Sequence, residues 1–204
     1  MSRCIMLGIP DDDFIRGNVP MTKEEIRVLS ISKLRLNKDS IIWDIGAGTG
    51  SVSVEASFVS TEGSIYAVEQ NPEGIELIKA NIDKFGCKNI KIIHGKAPVI
   101  LKDLPDPDRI FVGGSGDATE EILDVSLKRM KMGGVIVVNS ITLDTAYISE
   151  KILKDRGLDV ESICVNISVS KNAGNKTMMI ARNPVFIITG RNSKVDNNFN
   201  KVGE

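Results

Sequence analysis

The chain has 204 residues, of which 42% are hydrophobic and 4% aromatic, with a formal net charge of −1 at pH 7. This length and hydrophobicity predict a single domain over residues 1–191 and a polar, disordered tail over 192–204. The near-neutral charge and the shortage of aromatic side chains argue against nucleic acid as a partner, because binding it needs a basic surface and stacking platforms.

The spacing of the cysteines and the sequence of the N-terminus bear on the cellular location of the protein. Cys4, Cys87 and Cys164 are widely spaced and form no C-x-x-C motif, so we predict neither a disulfide framework nor a metal site. The apolar stretch at the N-terminus stops at Pro10, which makes it too short for a signal sequence or a membrane span. We therefore expect a cytoplasmic protein with no membrane partner.

The N-terminal segment, residues 1–21, is predicted to be irregular, because prolines and glycines interrupt it. Apolar residues stand next to Arg16, a pattern suited to closing over a binding site. A capping box then matches Thr22-Lys23-Glu24-Glu25, which predicts Thr22 as the N-cap of the first helix.

A glycine-rich turn follows the first predicted strand, Ile41–Ile45. The strand, the turn over residues 46–50 and the new apolar period after it predict the first strand, turn and helix of a doubly wound α/β sheet. Ligands bind such sheets at the carboxyl ends of the strands, where glycine lets the backbone come close. The predicted cofactor-binding residues of the turn are Gly46, Ala47, Gly48, Thr49 and Gly50.

The kind of cofactor depends on how this turn departs from the dinucleotide fingerprint. In G-x-G-x-x-G the third glycine would stand at Ser51, but here it comes one place early. Between Lys38 and Lys79 there is no Lys or Arg to neutralise a phosphate. Glu69 follows a second predicted strand and stands where a carboxylate accepts hydrogen bonds from ribose hydroxyls. Together these features resemble a class I S-adenosylmethionine (SAM) methyltransferase, with a nicotinamide-dependent reductase as an open alternative.

Later strands end in residues that would face the same ligand. His94, the only histidine, follows the third predicted strand on the adenine side, so we interpret it as structural rather than as a general base. The fourth strand ends in a loop over residues 113–116, whose three glycines leave room for a large flat substrate. Asn139 ends the fifth strand. The candidate substrate contacts from these strands are Gly114, Ser115 and Asn139.

Towards the C-terminus the apolar period changes from 3.6 residues to 2. Alternation over residues 160–169 predicts one long strand. With further strands over 177–181 and 184–189, it predicts an antiparallel end to a mostly parallel sheet. The connection over residues 171–176 is predicted to be an exposed hairpin loop.

Several longer motifs are more specific than the glycine turn. They include G-I-P-D-D-x-F-I-R-G-x-V-P-M-T-K-E-E, W-D-I-G-A-G-T-G-S-V-S-V-E, H-G-K-A-P, V-G-G-S-G and T-M-M-I-A-R-N-P-V-F-I-I-T-G. They strongly resemble the decarboxylating C15-methyltransferases of corrin biosynthesis over about residues 8–190. The resemblance implies a Rossmann-like, doubly wound, seven-stranded sheet and SAM as the methyl donor. It also implies methylation of C15 of cobalt-precorrin-6B, with the C12 acetate carboxyl lost as CO₂.

The resemblance also carries expectations for single residues and for partners. Thr22 and Ala97 match family positions that contact SAM. The resemblance implies a homotetramer, and a functional pairing with a C5-methyltransferase is an open expectation. A tetrapyrrole with many acetates and propionates calls for cations at the mouth of the site, for which the candidates are Arg16, Lys171 and Lys176. No catalytic side chain is assigned. A SAM methyltransferase acting on another small molecule, RNA or protein stays as the second interpretation.

Overall fold

A computed structural model describes residues 7–114 and 116–192, which contain nine strands and five α-helices. The strands are β1 (Ile41–Ile45), β2 (Ser64–Glu69), β3 (Ile90–His94), β4 (Arg109–Val112), β5 (Val135–Ser140), β6 (Asp159–Val165), β7 (Ser168–Ala173), β8 (Lys176–Ala181) and β9 (Val185–Arg191). The α-helices are α1 (Glu24–Leu34), α2 (Ser51–Val59), α3 (Pro72–Phe85), α4 (Thr119–Arg129) and α5 (Leu143–Asp155).

Seven of the strands form one sheet in the order β3-β2-β1-β4-β5-β9-β6. Strands β1 to β5 run parallel, while β9 pairs antiparallel with both β5 and β6. The predicted α/β class and the antiparallel end of the sheet are therefore confirmed. The order reverses between β1 and β4, so the chain leaves a crevice at the carboxyl ends of these two strands.

Helices cover both faces of the sheet, which is why its parallel strands are almost continuously apolar. On one face Trp43 and Ile110 pack with Leu123 of α4 and with α5. On the other face Phe111 packs with Leu34 of α1, and α2 joins the same cluster. The core therefore lies on both sides of β1 and β4 and fixes the ends of these strands.

The N-cap of α1 differs from the prediction. The helix begins at Glu24 with Lys23 as its N-cap, and the capping box built on Thr22 is wrong. Asp11, from a short 3₁₀ turn over Asp11–Asp13, accepts the backbone N–H of Glu24 at 3.0 Å. A side chain from the N-terminal segment thus replaces the local cap.

The predicted long strand over residues 160–169 is two strands, and the second of them leaves the main sheet. β7 pairs with β8 as a separate two-stranded sheet. Alternation with a period of 2 cannot show where a strand changes partner, so the sequence could not reveal the break. The turn of the hairpin is only residues 174–175, which places Lys171 and Lys176 in strands.

The helices and the C-terminal end of the described part of the chain bear on the predicted absence of a membrane span and on the predicted tail. None of the helices in the described part has the length and apolar character that a membrane crossing needs. The predicted tail lies outside the described residues except for Asn192, which exchanges backbone hydrogen bonds with the turn at Gly133 and Gly134.

Candidate active site

The glycine turn between β1 and α2 adopts a backbone that only glycine takes easily. Gly46, Gly48 and Gly50 have φ angles of +73°, +58° and +76°. A Cβ on Gly46 would lie 2.6 Å from the carbonyl oxygen of Gly114, and one on Gly48 would lie 2.7 Å from that of Pro20. The turn is therefore packed against two other loops with no space for a side chain.

Glu69, at the end of β2, holds this turn in place. Its Oε2 accepts the backbone N–H of Gly48 at 2.8 Å, and its Oε1 accepts those of Gln70 and Asn71, each at 2.8 Å. A carboxylate offers about four lone-pair sites, so one acceptor site stays free after these three bonds. This free site fits a ribose hydroxyl and suits the predicted sugar contact.

A cavity of about 670 Å³ opens at the crevice where the strand order reverses. Its volume is that of a typical small-molecule site. The walls come from four places: the N-terminal segment, the glycine turn, the ends of β2, β3 and β4, and the start of α4. The lining residues include Val19, Pro20, Gly46, Gly48, Glu69, Asn71, Lys96, Ala97, Gly113, Gly114, Ala118 and Ile122.

The sequence profile described as the precorrin methyltransferase domain matches residues 13–191. The chain belongs to the precorrin methyltransferase family. A relative from Sulfolobus acidocaldarius, named a probable cobalt-precorrin-6B C(15)-methyltransferase (decarboxylating), is 43% identical over 90% of this chain and 96% of its own.

Solved structures agree with this membership. The precorrin-6y C5,15-methyltransferase from Geobacter metallireducens has a TM-score of 0.86 and 45% identity, covering 91% of this chain and 98% of its own. The precorrin 8W decarboxylase from Methanobacterium thermoautotrophicum has a TM-score of 0.84 and 36% identity, covering 89% and 98%. The precorrin methyltransferase described here thus uses SAM, as the early third glycine predicted, and the reductase alternative falls away.

The structure brings together part of the predicted cofactor set of this methyltransferase. Gly46, Gly48, Glu69 and Ala97 line the cavity. The other turn residues do not line it: Ala47 donates its N–H to Val68, and Thr49 is fully buried. Thr22 is half-buried outside the cavity wall, and its carbonyl accepts a hydrogen bond from Arg27.

The predicted substrate residues are more scattered. Gly114 lines the cavity, whereas Ser115 lies outside the described residues. Arg16 is paired with Asp12 at 2.6 Å, and Asn139 donates to the hydroxyl of Ser30 at 2.9 Å, so each already has a partner away from the cavity wall. The lysines at positions 171 and 176 are exposed on the β7–β8 hairpin.

His94 lies outside the cavity wall of the methyltransferase, whereas two residues that were not predicted belong to it. The Nε2 atom of His94 lies 3.3 Å from the carbonyl oxygen of Gln70, and the residue is not part of the cavity wall. Sequence reasoning missed Val19 and Pro20, which enter the wall from the N-terminal segment. The V-P-M-T motif was the available signal, but its contact with the glycine turn is not local in sequence.

Asp44 is a buried acid on β1, two residues before the turn. The hydroxyl of Ser53 on α2 donates to its Oδ2, whereas its Oδ1 has no hydrogen-bond partner among the described residues. Burial raises the pKa of this carboxyl from 3.8 to about 6, and the hydrogen bonds from Ser53 oppose that rise only in part. The methyltransferase therefore holds a poorly solvated charge directly behind its cofactor turn.

This burial predicts how the stability of the methyltransferase depends on pH. The folded pKa of Asp44 lies above its unfolded value of 3.8, so its contribution to stability is complete below pH 3.8 and is lost as the pH rises through about 6. Asp44→Asn removes the titration. We expect the free energy of unfolding of the variant, relative to the wild type, to rise by about 2 kcal/mol between pH 4 and pH 7.

Urea unfolding at a series of pH values measures this difference. Any constant effect of the new amide cancels, because only the change with pH is compared. Ser53→Ala keeps the carboxyl but removes the hydroxyl that opposes the pKa rise, so its stability should fall with rising pH at least as steeply as that of the wild type. If the difference in the free energy of unfolding between Asp44→Asn and the wild type did not change from pH 4 to pH 7, the raised pKa of Asp44 would be contradicted.

Proposed function

We propose that this protein methylates C15 of cobalt-precorrin-6B and removes the carboxyl of the C12 acetate as CO₂, giving cobalt-precorrin-7. The observation that carries the proposal is the near full-length match to relatives named for this reaction. Relatives from Sulfolobus acidocaldarius and Sulfurisphaera tokodaii are 43% and 44% identical over 90% of the chain.

The cavity supports a large, flat substrate. Apart from its chain neighbours, no described residue has an atom within 4 Å of a Cβ built on Gly114, so this part of the cavity wall is open among the described residues. Gly113, beside it, is held by a backbone hydrogen bond of 2.9 Å to Ile45. A macrocycle can therefore approach a fixed backbone edge without meeting side chains there.

The residues present suit a reaction that depends on alignment and on exclusion of water. When bound, SAM supplies an activated methyl group on a positively charged sulfur. Glu69 would hold the sugar, and the glycine turn would let the backbone approach the donor. Val19 and Pro20 line the cavity and would help to exclude water from it. Little acid or base is needed from the protein, because the leaving group departs as a neutral thioether and the electron-rich macrocycle is the nucleophile.

Incubation with cobalt-precorrin-6B and SAM tests the proposal by mass spectrometry. The expected product has gained one methyl group and lost one CO₂. Methylation of this substrate without CO₂ loss, or no methylation of it although SAM binds, would contradict the proposal. A panel of other small molecules, RNA and protein would then test the second interpretation.

The assembly and the partners form a second part of the proposal. We infer a homotetramer, with the β7–β8 hairpin in an interface, because Met178, Met179 and Ile180 are 48%, 63% and 38% exposed on a two-stranded sheet. Such a sheet is marginally stable alone, and its apolar surface needs a cover. Met179→Lys should reduce the mass measured by sedimentation equilibrium, whereas Met132→Lys, on another surface, should not. A wild-type monomer would refute this inference.

A functional connection with C5-methylation is inferred from the relatives. One solved neighbour is the C-terminal domain of a precorrin-6Y C5,15-methyltransferase from Rhodobacter capsulatus, which is 29% identical over 92% of this chain. We infer that a separate C5-methyltransferase works alongside this protein. The cytoplasmic location and closure of the N-terminal segment over the site are part of the same proposal.

A further inference from the structure

The side-chain amide of Asn81 on α3 is fully buried and makes three hydrogen bonds to the backbone. Its Oδ1 accepts the N–H of Ile15 at 2.8 Å, and its Nδ2 donates to the carbonyl of Ile15 at 3.0 Å. The same Nδ2 donates to the carbonyl of Thr49 at 2.9 Å. One side chain therefore joins the N-terminal segment to the glycine turn.

These bonds hold the turn at a second point, one residue after the point held by Glu69. Glu69 accepts the N–H of Gly48, while Asn81 binds the carbonyl of the next residue, Thr49. The α3 helix also packs directly on the turn, because a Cβ on Gly50 would lie 3.2 Å from the side chain of Ile78. The orientation of the peptide groups facing the cavity thus depends on both side chains.

The same helix directs the N-terminal segment towards the cavity. Three residues after Ile15, the N–H of Asn18 donates to Glu73 of α3 at 2.7 Å. The chain then reaches Val19 and Pro20, which line the cavity, and the carbonyl of Pro20 faces Gly48 closely. The position of this wall follows from the contacts with α3.

We propose that Asn81 is a positioning residue for the cofactor. It sets the N-terminal segment against the glycine turn, so that ordering of residues 13–20 and SAM binding are thermodynamically coupled. Coupling of this kind is reciprocal: SAM must stabilise the segment as much as the ordered segment favours SAM. The proposal rests on the proposed function only in taking SAM as the ligand.

Asn81→Asp tests the proposal with a side chain of nearly the same size. At pH 8 the carboxylate still accepts from Ile15 but cannot donate to the carbonyls of Ile15 and Thr49. The matched control is Asn89→Asp, which removes one donated bond of 2.6 Å to the carbonyl of Ser60, away from the cavity. Calorimetry should show SAM binding at least about tenfold weaker for Asn81→Asp and within about twofold of wild type for Asn89→Asp.

Hydrogen exchange provides a readout that a merely structural role would not move. In the wild type and in Asn89→Asp, SAM should slow amide exchange over residues 13–20, and in Asn81→Asp this protection should be lost. Equal SAM affinity in wild type and Asn81→Asp would overturn the proposal, as would wild-type exchange that SAM leaves unchanged. Absence of SAM binding to the wild type would instead overturn the proposed function. Should Asn81→Asp fail to fold, Asn81→Ser replaces it in both measurements.

Discussion

Replacement of Arg27 by methionine is expected to lower the free energy of unfolding by about 3–5 kcal/mol. The Arg27 side chain on α1 is fully buried, and its Nε donates to Glu55 of α2 at 2.6 Å with neither side chain exposed. It also donates to the carbonyls of Ile9 and Thr22. The variant would leave the buried carboxylate of Glu55 without its cation and bonded only to the backbone N–H groups of Gly8 and Ile9, which is the main source of the loss.

A double-mutant cycle with Glu55→Gln isolates that source. The double variant should recover part of the loss, because no uncompensated charge remains. Lys38→Met is the surface control: it breaks an exposed pair with Glu62 and should change stability by less than about 1 kcal/mol. If Arg27→Met lowered the free energy of unfolding by less than about 1 kcal/mol, the structural role of the buried pair would be contradicted.

Substitution of Gly46 by alanine is expected to lower SAM affinity by at least about 100-fold, which corresponds to roughly 2.7 kcal/mol. Two effects combine at this position. A φ of +73° costs an alanine about 1–2 kcal/mol, and its Cβ would lie 2.6 Å from the carbonyl oxygen of Gly114. Neither atom belongs to a flexible side chain, so the turn and the loop after β4 must separate, and both line the cavity.

Gly133→Ala is a control that introduces the backbone strain of a positive φ without the steric overlap of a new Cβ. Gly133 has a φ of +74°, but a Cβ there would meet no atom within 4 Å, and the residue lies outside the cavity wall. This control should lose about 1–2 kcal/mol of stability and no SAM affinity. Calorimetry and thermal unfolding of both variants measure the two effects. Similar SAM affinities for Gly46→Ala and the wild type would show that the contact between the two loops does not shape the site.

Local sequence was sufficient to predict the centre of the fold. The short buried strand before the glycine turn was predicted, and the structure has it at Ile41–Ile45, because an apolar run followed by glycines is a local pattern. Glu69 was placed from its distance along the chain to the turn, and it lines the cavity. These features need only short-range periodicity and the conformational freedom of glycine.

Contacts between distant parts of the chain were not accessible in this way. Thr22 matched a capping box, but Asp11 satisfies the start of α1 from an irregular segment. The stretch between Lys38 and Lys79 contains no Lys or Arg, but Glu55 within it is paired with Arg27 from another helix. In both cases the partner is set by packing of the N-terminal segment, for which no periodic signal exists.

The triple use of the Glu69 carboxylate has a consequence for evolvability. The carboxylate oxygens that would contact the sugar of the cofactor also accept the backbone N–H of Gly48. A substitution at Glu69 would therefore change cofactor selectivity and the conformation of the turn together. A descendant that recruited a 2′-phosphorylated coenzyme would have to discard this acid to escape repulsion, and would lose the brace of its own loop in the same step. A change of coenzyme would therefore first require another side chain that binds the backbone of Gly48, and this requirement ties the pocket to its methyl donor.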